Sequence, residues 1–297
     1  MRSGFVALAG RPNAGKSTLI NALVGEKIAI VSEKAQTTRS EIRGIYTSED
    51  CQIVFTDTPG IHKPKDRLGS RMNKESTDVI QGVDVIFLVV DGSVPYSTGD
   101  AFVLSTVKNA HLPVFLIMNK VDNMDKEEII KNLNSWQERY DFAEYFPLSA
   151  KFDRTFDDLI ATTAKYLPEG GLLYPAEMIS DGAENFRIAE MIREKVLLCC
   201  EQEVPHATAV TIEEKEYTSK GCNIHATILV EKDGQKGILI GKGGTMLKRI
   251  GTMARKDIEK LLGVHVFLTL YVRKEEDWRS KDARISEYGY GGAFRNE

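Results

Sequence analysis

The chain has 297 residues, 42% hydrophobic and 28% charged, with a net charge of −4. That is the make-up of a globular protein with room for two domains, and it excludes a collagen-like or disordered chain. The longest apolar run, Val85 to Val90, is far too short to cross a bilayer and no charged segment followed by an apolar core opens the chain, so a cytoplasmic location is expected.

Phe5 to Ala9 reads as a buried strand and Thr18 to Val24 as a helix with one apolar face. Between them Gly10-Arg11-Pro12-Asn13-Ala14-Gly15-Lys16-Ser17 spells G-x-x-x-x-G-K-S, with Thr18 following it into the helix. The unpaired amides and dipole at such a helix start favour negative charge, so a polyphosphate fits there. Lys16 would neutralise the β and γ phosphates and Ser17 would ligate Mg²⁺. The competing reading is a chance glycine-rich turn.

Strands are expected around 41–47, 51–56, 83–90, 113–118 and 144–148, with helices near 98–110, 125–139 and 155–166. Alternation of this kind predicts an α/β domain, a mostly parallel sheet with helices on both faces. Residues 25–40 and 57–82 lack clean periodicity and follow elements that would end at the phosphate pocket, so both are candidate switch segments.

Three further stretches fall at the C-terminal ends of predicted strands. Asp57-Thr58-Pro59-Gly60 offers a carboxylate for Mg²⁺ and, at Gly60, an amide able to sense a γ-phosphate. In Asn119-Lys120-Val121-Asp122 the Asp122 carboxylate can accept hydrogen bonds from guanine N1–H and its 2-amino group, which adenine does not offer. Ser149-Ala150-Lys151 would bring a backbone N–H to the guanine O6. Each tetrapeptide alone is weak, but the ordered set is specific.

With these motifs residues 1–167 resemble a Ras-like GTPase domain of the translation-factor class. The resemblance implies GTP and GDP as ligands, Mg²⁺ as cofactor, and Gln36 to Ser40 as the first switch. It gives Ser17, Asp57 and a switch threonine as metal ligands. Thr38 is taken over Thr37, although one sequence does not separate the neighbours. Lys16, Thr38, Gly60 and Asn13 then form the expected catalytic set. One departure matters: Ile61 follows Gly60 where Ras-like proteins carry a water-positioning glutamine. Relatives with G-x-P-N-x-G-K-S use that asparagine to help hold K⁺ beside the phosphates. Asn13 is therefore either a K⁺ ligand or a residue suited to its turn. His62 reads as a loop histidine rather than a replacement base.

Pro168-Glu169-Gly170-Gly171 ends the last helix of this domain, and 168–183 reads as a linker. Beyond it the pattern predicts a helix over 184–201, strands over 208–217 and 223–232, helices over 236–240 and 245–261, and a strand over 264–272. Cys199 and Cys200 adjoin, and with Cys51 and Cys222 show no C-x-x-C spacing, so neither a disulfide framework nor a metal knuckle is suggested. From Gly234 to Lys274 nine Lys or Arg stand against Asp257 and Glu259, an electrostatic footprint for a phosphate backbone or a solvated helix face. Within it Ile240-Gly241-Lys242-Gly243-Gly244 places a G-x-x-G turn before a helix, so the order αββααβ resembles a type II KH domain spanning 184–274. Lys242, Lys248 and Arg249 would meet phosphates, and Ile240 and Leu247 would line the base groove. The competing reading is a small α+β domain that binds protein or merely pads the fold. Residues 275–297 read as a C-terminal tail, loose from Gly289 onward.

A GTPase domain joined to a type II KH domain resembles the Era family of bacterial GTPases, from about Ser3 to Tyr290, including Trp278 and the ending Glu287-Tyr288-Gly289-Tyr290. The resemblance implies binding to the 3′ region of 16S rRNA, a part in maturation of the 30S subunit, peripheral association with the inner membrane face, and a monomer. Two readings of other classes stand beside it. One is an RNA-modifying enzyme timed by the GTPase, for which no further nucleophile or metal cluster stands in the sequence. The other is a GTP-regulated scaffold whose second domain touches no RNA. Binding to ribosomal RNA at several salt concentrations discriminates, because phosphate contacts give a steep salt slope.

Overall fold

The structure, a computed structural model, describes residues 1–34, 36–64 and 66–290. These fall into two units: 1–29 with 38–65 and 69–181, and 182 onward with Ile30–Thr37 and Asp66–Leu68.

The first unit is built on a six-stranded sheet in the order β2-β3-β1-β4-β5-β6. Its strands are β1 (Arg2–Ala9), β2 (Ile42–Thr47), β3 (Cys51–Asp57), β4 (Val85–Asp91), β5 (Val114–Asn119) and β6 (Glu144–Pro147). All run parallel except β2, which pairs antiparallel with β3. Every residue of β3 and β5 is buried, which is why Ile53–Phe55 and Val114–Met118 read as unbroken apolar runs rather than alternating ones. The helices are α1 (Lys16–Val24), α2 (Arg67–Gln81), α3 (Thr98–Lys108), α4 (Lys126–Gln137) and α5 (Asp157–Tyr166). Ile80, Val103, Leu104, Val107 and Trp136 of α2, α3 and α4 join Ile86, Leu88, Val90 and Leu116 in one core layer. On the other face Phe87 stacks on Phe115 at 5.5 Å, and Tyr166 meets Phe115 edge-on at 4.9 Å. Phe87 and Phe115, both fully buried, each contribute about 1.5–3 kcal/mol.

Two expectations need correction. The stretch 57–82, read as aperiodic, contains the 15-residue helix α2. Its buried positions include Met72, Ser76 and Ile80, one per turn. The middle one is a serine whose hydroxyl bonds the carbonyls of Met72 and Pro59, both at 2.9 Å, so a polar residue interrupts the apolar stripe. The stretch 168–183, read as a linker, is fastened to the first unit as far as Asp181. Fully buried Gln52 accepts the N–H groups of Leu173 and Tyr174 at 2.7 and 2.9 Å and donates to the Tyr174 carbonyl at 2.9 Å. Ile45 N–H donates to the Ile179 carbonyl at 2.8 Å.

The second unit is a three-stranded sheet, β7 (Ala209–Thr218), β8 (Gly221–Val230) and β9 (Val266–Lys274), in that order. β7 and β8 form an antiparallel hairpin, whereas β8 and β9 are parallel and therefore need a crossover. The crossover is α8 (Asp233–Ile240), the turn Gly241–Gly244 and α9 (Thr245–Leu262). Helix α6 (Glu184–Cys199) precedes the hairpin, followed by the single-turn α7 (Val204–Ala207). Ile188, Ile192 and Val196 of α6, Ile224, Ala226 and Ile228 of β8, Leu239 of α8, and Ile250, Ala254 and Ile258 of α9 form its core. The expected tail from 275 is folded through Tyr290. A turn at Trp278–Ser280 and helix α10 (Asp282–Glu287) bring Tyr288 and Tyr290 against Trp278, at 5.6 and 5.9 Å between rings. Trp278 is fully buried and donates its indole N–H to the Ala207 carbonyl at 2.8 Å. The rest of the expected tail, 291–297, lies outside the described residues.

Candidate functional site

β1, β3, β5 and β6 run parallel, so the loops after them open at one edge of the sheet. The loop from Gly10 to Gly15 leads into α1, with left-handed backbone at Asn13 (φ 66°) and Gly15 (φ 96°). A Cβ at Gly15 would lie 2.1 Å from Asn119 Nδ2, so only glycine lets the loop and the stretch Asn119-Lys120-Val121-Asp122 approach this closely. Ala14 and Lys16 are buried, while Arg11, Pro12 and Thr18 are half-buried and Asn13 is exposed. Lys16 donates to the carbonyls of Gly10 and Arg11 at 3.3 and 3.0 Å. Burial pulls its ammonium below the ordinary lysine range, partly opposed by Asp57.

Ser17, Thr38 and Asp57 meet. The Ser17 hydroxyl lies 2.6 Å from Asp57 Oδ2 and 2.8 Å from the Thr38 hydroxyl, which is itself 3.1 Å from the same Oδ2. Asp57 is fully buried, and burial raises its carboxyl above the usual range against the opposing pull of Lys16, Ser17 and Thr38. Its Oδ1 is buried with no hydrogen-bond partner among the described residues. The Thr37 hydroxyl turns elsewhere, to the Lys34 carbonyl at 2.6 Å. Thr58 donates to the Leu8 carbonyl at 2.8 Å, and the Pro59 carbonyl accepts from Ser76. Gly60 packs on the first loop so closely that a Cβ would stand 2.6 Å from Pro12 N. Ile61 is only 2% exposed and belongs to the core layer of α2, α3 and α4. His62 Nδ1 is 2.8 Å from the Gly60 carbonyl.

Asn119, 3% exposed, ties three loops together. Its Nδ2 donates to the Ala14 carbonyl at 2.8 Å, and its Oδ1 accepts from Lys120 and Ala150 N–H at 2.8 and 2.9 Å. Lys120 has left-handed backbone (φ 67°) and pairs with Asp91 at 2.6 Å. Asp122 follows Val121 in a single 3-10 turn, exposed, with its Oδ1 accepting the Ser149 hydroxyl at 2.6 Å. Ser149 N–H is held by Asp153 at 2.8 Å, and Lys151 is exposed beside them.

In the second unit the G-x-x-G turn has positive φ at Gly241, Gly243 and Gly244. A Cβ at Gly241 would lie 2.8 Å from Met246 Cβ, whereas at Gly243 and Gly244 it would meet nothing within 4 Å. Lys242, Lys248 and Arg249 are exposed, and Ile240 and Leu247 are half-buried. Sequence reasoning did not single out β9 as a neighbour of α9. Leu270 and Val272 of β9 are half-buried against the core, and a Cβ on Gly251 of α9 would come to 3.4 Å from Leu270 Cδ1. The alternation Val266, Leu268, Leu270, Val272 was the available signal.

Comparison with known proteins agrees with this anatomy. The profile of the 50S ribosome-binding GTPase family matches residues 5–120, and that of the KH domain matches residues 203–279. Proteins of two Clostridium kluyveri strains, each described as GTPase Era, are 46% identical over 291 residues, 98% of this chain and 99% of theirs. A crystal structure of a point variant of Aquifex aeolicus Era bound to GDP.AlF4- superposes with a TM-score of 0.95 at 35% identity, covering 98% of this chain and 99% of that one. A structure of Era with MgGDPNP and nucleotides 1506–1542 of 16S ribosomal RNA matches with the same score, identity and coverage. The fold is a Ras-like GTPase domain followed by a KH domain.

Proposed function

The chain belongs to the Era family of GTPases, and from that premise we propose that it is a GTP-hydrolysing switch that binds the 3′ region of 16S rRNA and assists assembly of the 30S subunit. The observation that carries the nucleotide half is the meeting of Ser17, Thr38 and Asp57 beside buried Lys16. Two hydroxyls and a carboxylate are hard oxygen donors suited to Mg²⁺, and the unpartnered Asp57 Oδ1 is what a cation or its water would satisfy. Bound there, Mg²⁺ would neutralise charge on the β and γ phosphates. Lys16 would exchange two loop carbonyls for phosphate oxygens, with the loop amides arrayed around them. Asp122, steadied by Ser149, would read the guanine edge, and a backbone N–H of Ser149-Ala150-Lys151 the O6.

Ile61 points into the core and has no polar atom with which to orient water. We therefore assign charge compensation during hydrolysis to K⁺ held with the help of Asn13, as the G-x-P-N-x-G-K-S motif implies. The RNA half rests on the open space over Gly243 and Gly244, the exposed cations Lys242, Lys248 and Arg249, and the groove of Ile240, Leu247, Leu270 and Val272. A single strand would lie with its phosphates over the glycines and its bases in the groove. The relative solved with a 16S fragment supports that ligand. Among the described residues no helix is long and apolar enough to span a membrane, so contact with its inner face would be peripheral. GTP would shift the population toward the state that engages RNA. The test is affinity for a 3′ 16S oligonucleotide with GDP and with a non-hydrolysable GTP analogue. Tighter binding with the analogue is expected, and equal affinities would overturn the switch.

A further inference from the structure

Arg11 lies within the phosphate loop, yet its side chain is spent on another element. Its Nη1 donates to the Ser97 hydroxyl at 2.9 Å and to Asp100 Oδ2 at 3.1 Å. Ser97 is the N-cap of α3, and Asp100 sits in that helix's first turn. The same Asp100 oxygen also accepts the main-chain N–H and the hydroxyl of Ser97, at 2.9 and 2.7 Å. Three donors thus converge on one carboxylate oxygen of a residue 8% exposed, where the helix dipole also favours negative charge. Gly99 makes the approach possible. Its φ is not in the left-handed region, but a Cβ there would stand 2.9 Å from Arg11 Nε and 3.2 Å from its Cδ.

What this anchor holds is the start of the nucleotide loop. The Arg11 carbonyl takes Lys16 Nζ at 3.0 Å and Ala14 N–H at 3.4 Å. Two residues on, Asn13 has left-handed backbone, which asparagine tolerates better than other L-residues but which still needs the loop's ends held in place. The opposite flank is braced separately, by Gly60 packed on Pro12 and by Ile61 N–H donating to the Gly10 carbonyl at 3.1 Å.

We propose that Arg11 is a positioning residue of the nucleotide site, its guanidinium tying the loop to the capped end of α3 so that the turn at Asn13 and the amides after it are set before nucleotide arrives. This deepens the reading of the site as one for GTP and GDP. Nη1 alone serves both the hydroxyl and the carboxylate, so a lysine, whose ammonium carries the charge on a stem one bond shorter, should restore only part of the tie.

The test is release of a fluorescent GDP derivative from the full-length chain in Mg²⁺, followed by stopped flow during a chase with unlabelled GDP. Arg11→Gln should release it about tenfold faster, the weight of one charge-assisted hydrogen bond. Arg11→Lys should fall between Arg11→Gln and the wild type, and Asp100→Asn should match Arg11→Gln. The double variant should be no faster than the faster single, because both changes cut one link. In steady state KM for GTP should rise with release while kcat at saturation falls by less than twofold. Release from Arg11→Gln within twofold of wild type overturns the proposal. So does a multiplicative double variant, or a loss of kcat with KM and release unchanged, which would put Arg11 on the reacting phosphates. Wild-type protein that holds no GDP would overturn the reading of the site itself, a separate result.

Discussion

Replacing Asn119 by alanine tests the claim that one side chain locks the phosphate loop to the two base-recognition loops. The substitution deletes three hydrogen bonds of 2.8 to 2.9 Å, to the Ala14 carbonyl and from the N–H groups of Lys120 and Ala150. At a net of about 1 kcal/mol each, the first unit loses about 3 kcal/mol. The bonds exist without nucleotide, so the loss should appear in folding stability. For a unit of this size each kcal/mol moves the midpoint by about 2–4 °C, giving an expected fall of about 6–12 °C. Differential scanning calorimetry of the nucleotide-free protein, following the transition that bound GDP raises, measures it. Asn132→Ala supplies the scale, since that residue makes one comparable bond, to the Gly92 carbonyl at 2.9 Å. It should lower the midpoint by about a third as much. A drop for Asn119→Ala no larger than that for Asn132→Ala would refute the reasoning.

Three further outcomes follow from the site. Asp122→Asn should move preference from guanine toward xanthine nucleotides, because the amide donates where the carboxylate accepted; competition between GDP and XDP measures it, and unchanged preference contradicts the assignment. Hydrolysis should run faster in K⁺ than in Na⁺, and Asn13→Ala should erase the difference; equal initial rates in the two salts for the wild type would remove K⁺ from the account. Lys242→Asp combined with Gly243→Asp should abolish binding to a 3′ 16S oligonucleotide in a filter assay while GDP affinity stays within about twofold, since those positions lie in the other unit. Lost GDP binding in that variant would contradict the division of labour.

The motif loops were legible because their chemistry prescribes residue types: amide-rich glycines, a lysine, a carboxylate at the end of a strand. The choice between Thr37 and Thr38 was not legible, since both carry the same hydroxyl. Only the fold turns one toward Ser17 and Asp57 and the other toward the Lys34 carbonyl. Helix α2 was hidden by a buried serine in its apolar stripe. The fastening of 168–181 was hidden because it depends on Gln52, a polar side chain deep in β3 that looks like any other glutamine until its partners are in place. Trp278 escaped notice as core for a similar reason: its indole needs the Ala207 carbonyl, 71 residues back.

The clear space above Gly243 and Gly244 separates two demands that glycine usually meets together. Both residues have positive φ, which L-amino acids resist and their mirror images adopt freely. An L-alanine at Gly243 would add a single methyl to that region, and the thermal midpoint reports what its backbone strain costs the fold. Undisturbed folding with lost RNA affinity would mean that the clearance is the imprint of a sugar-phosphate chain, whereas retained affinity would mean that the position is glycine for its backbone alone.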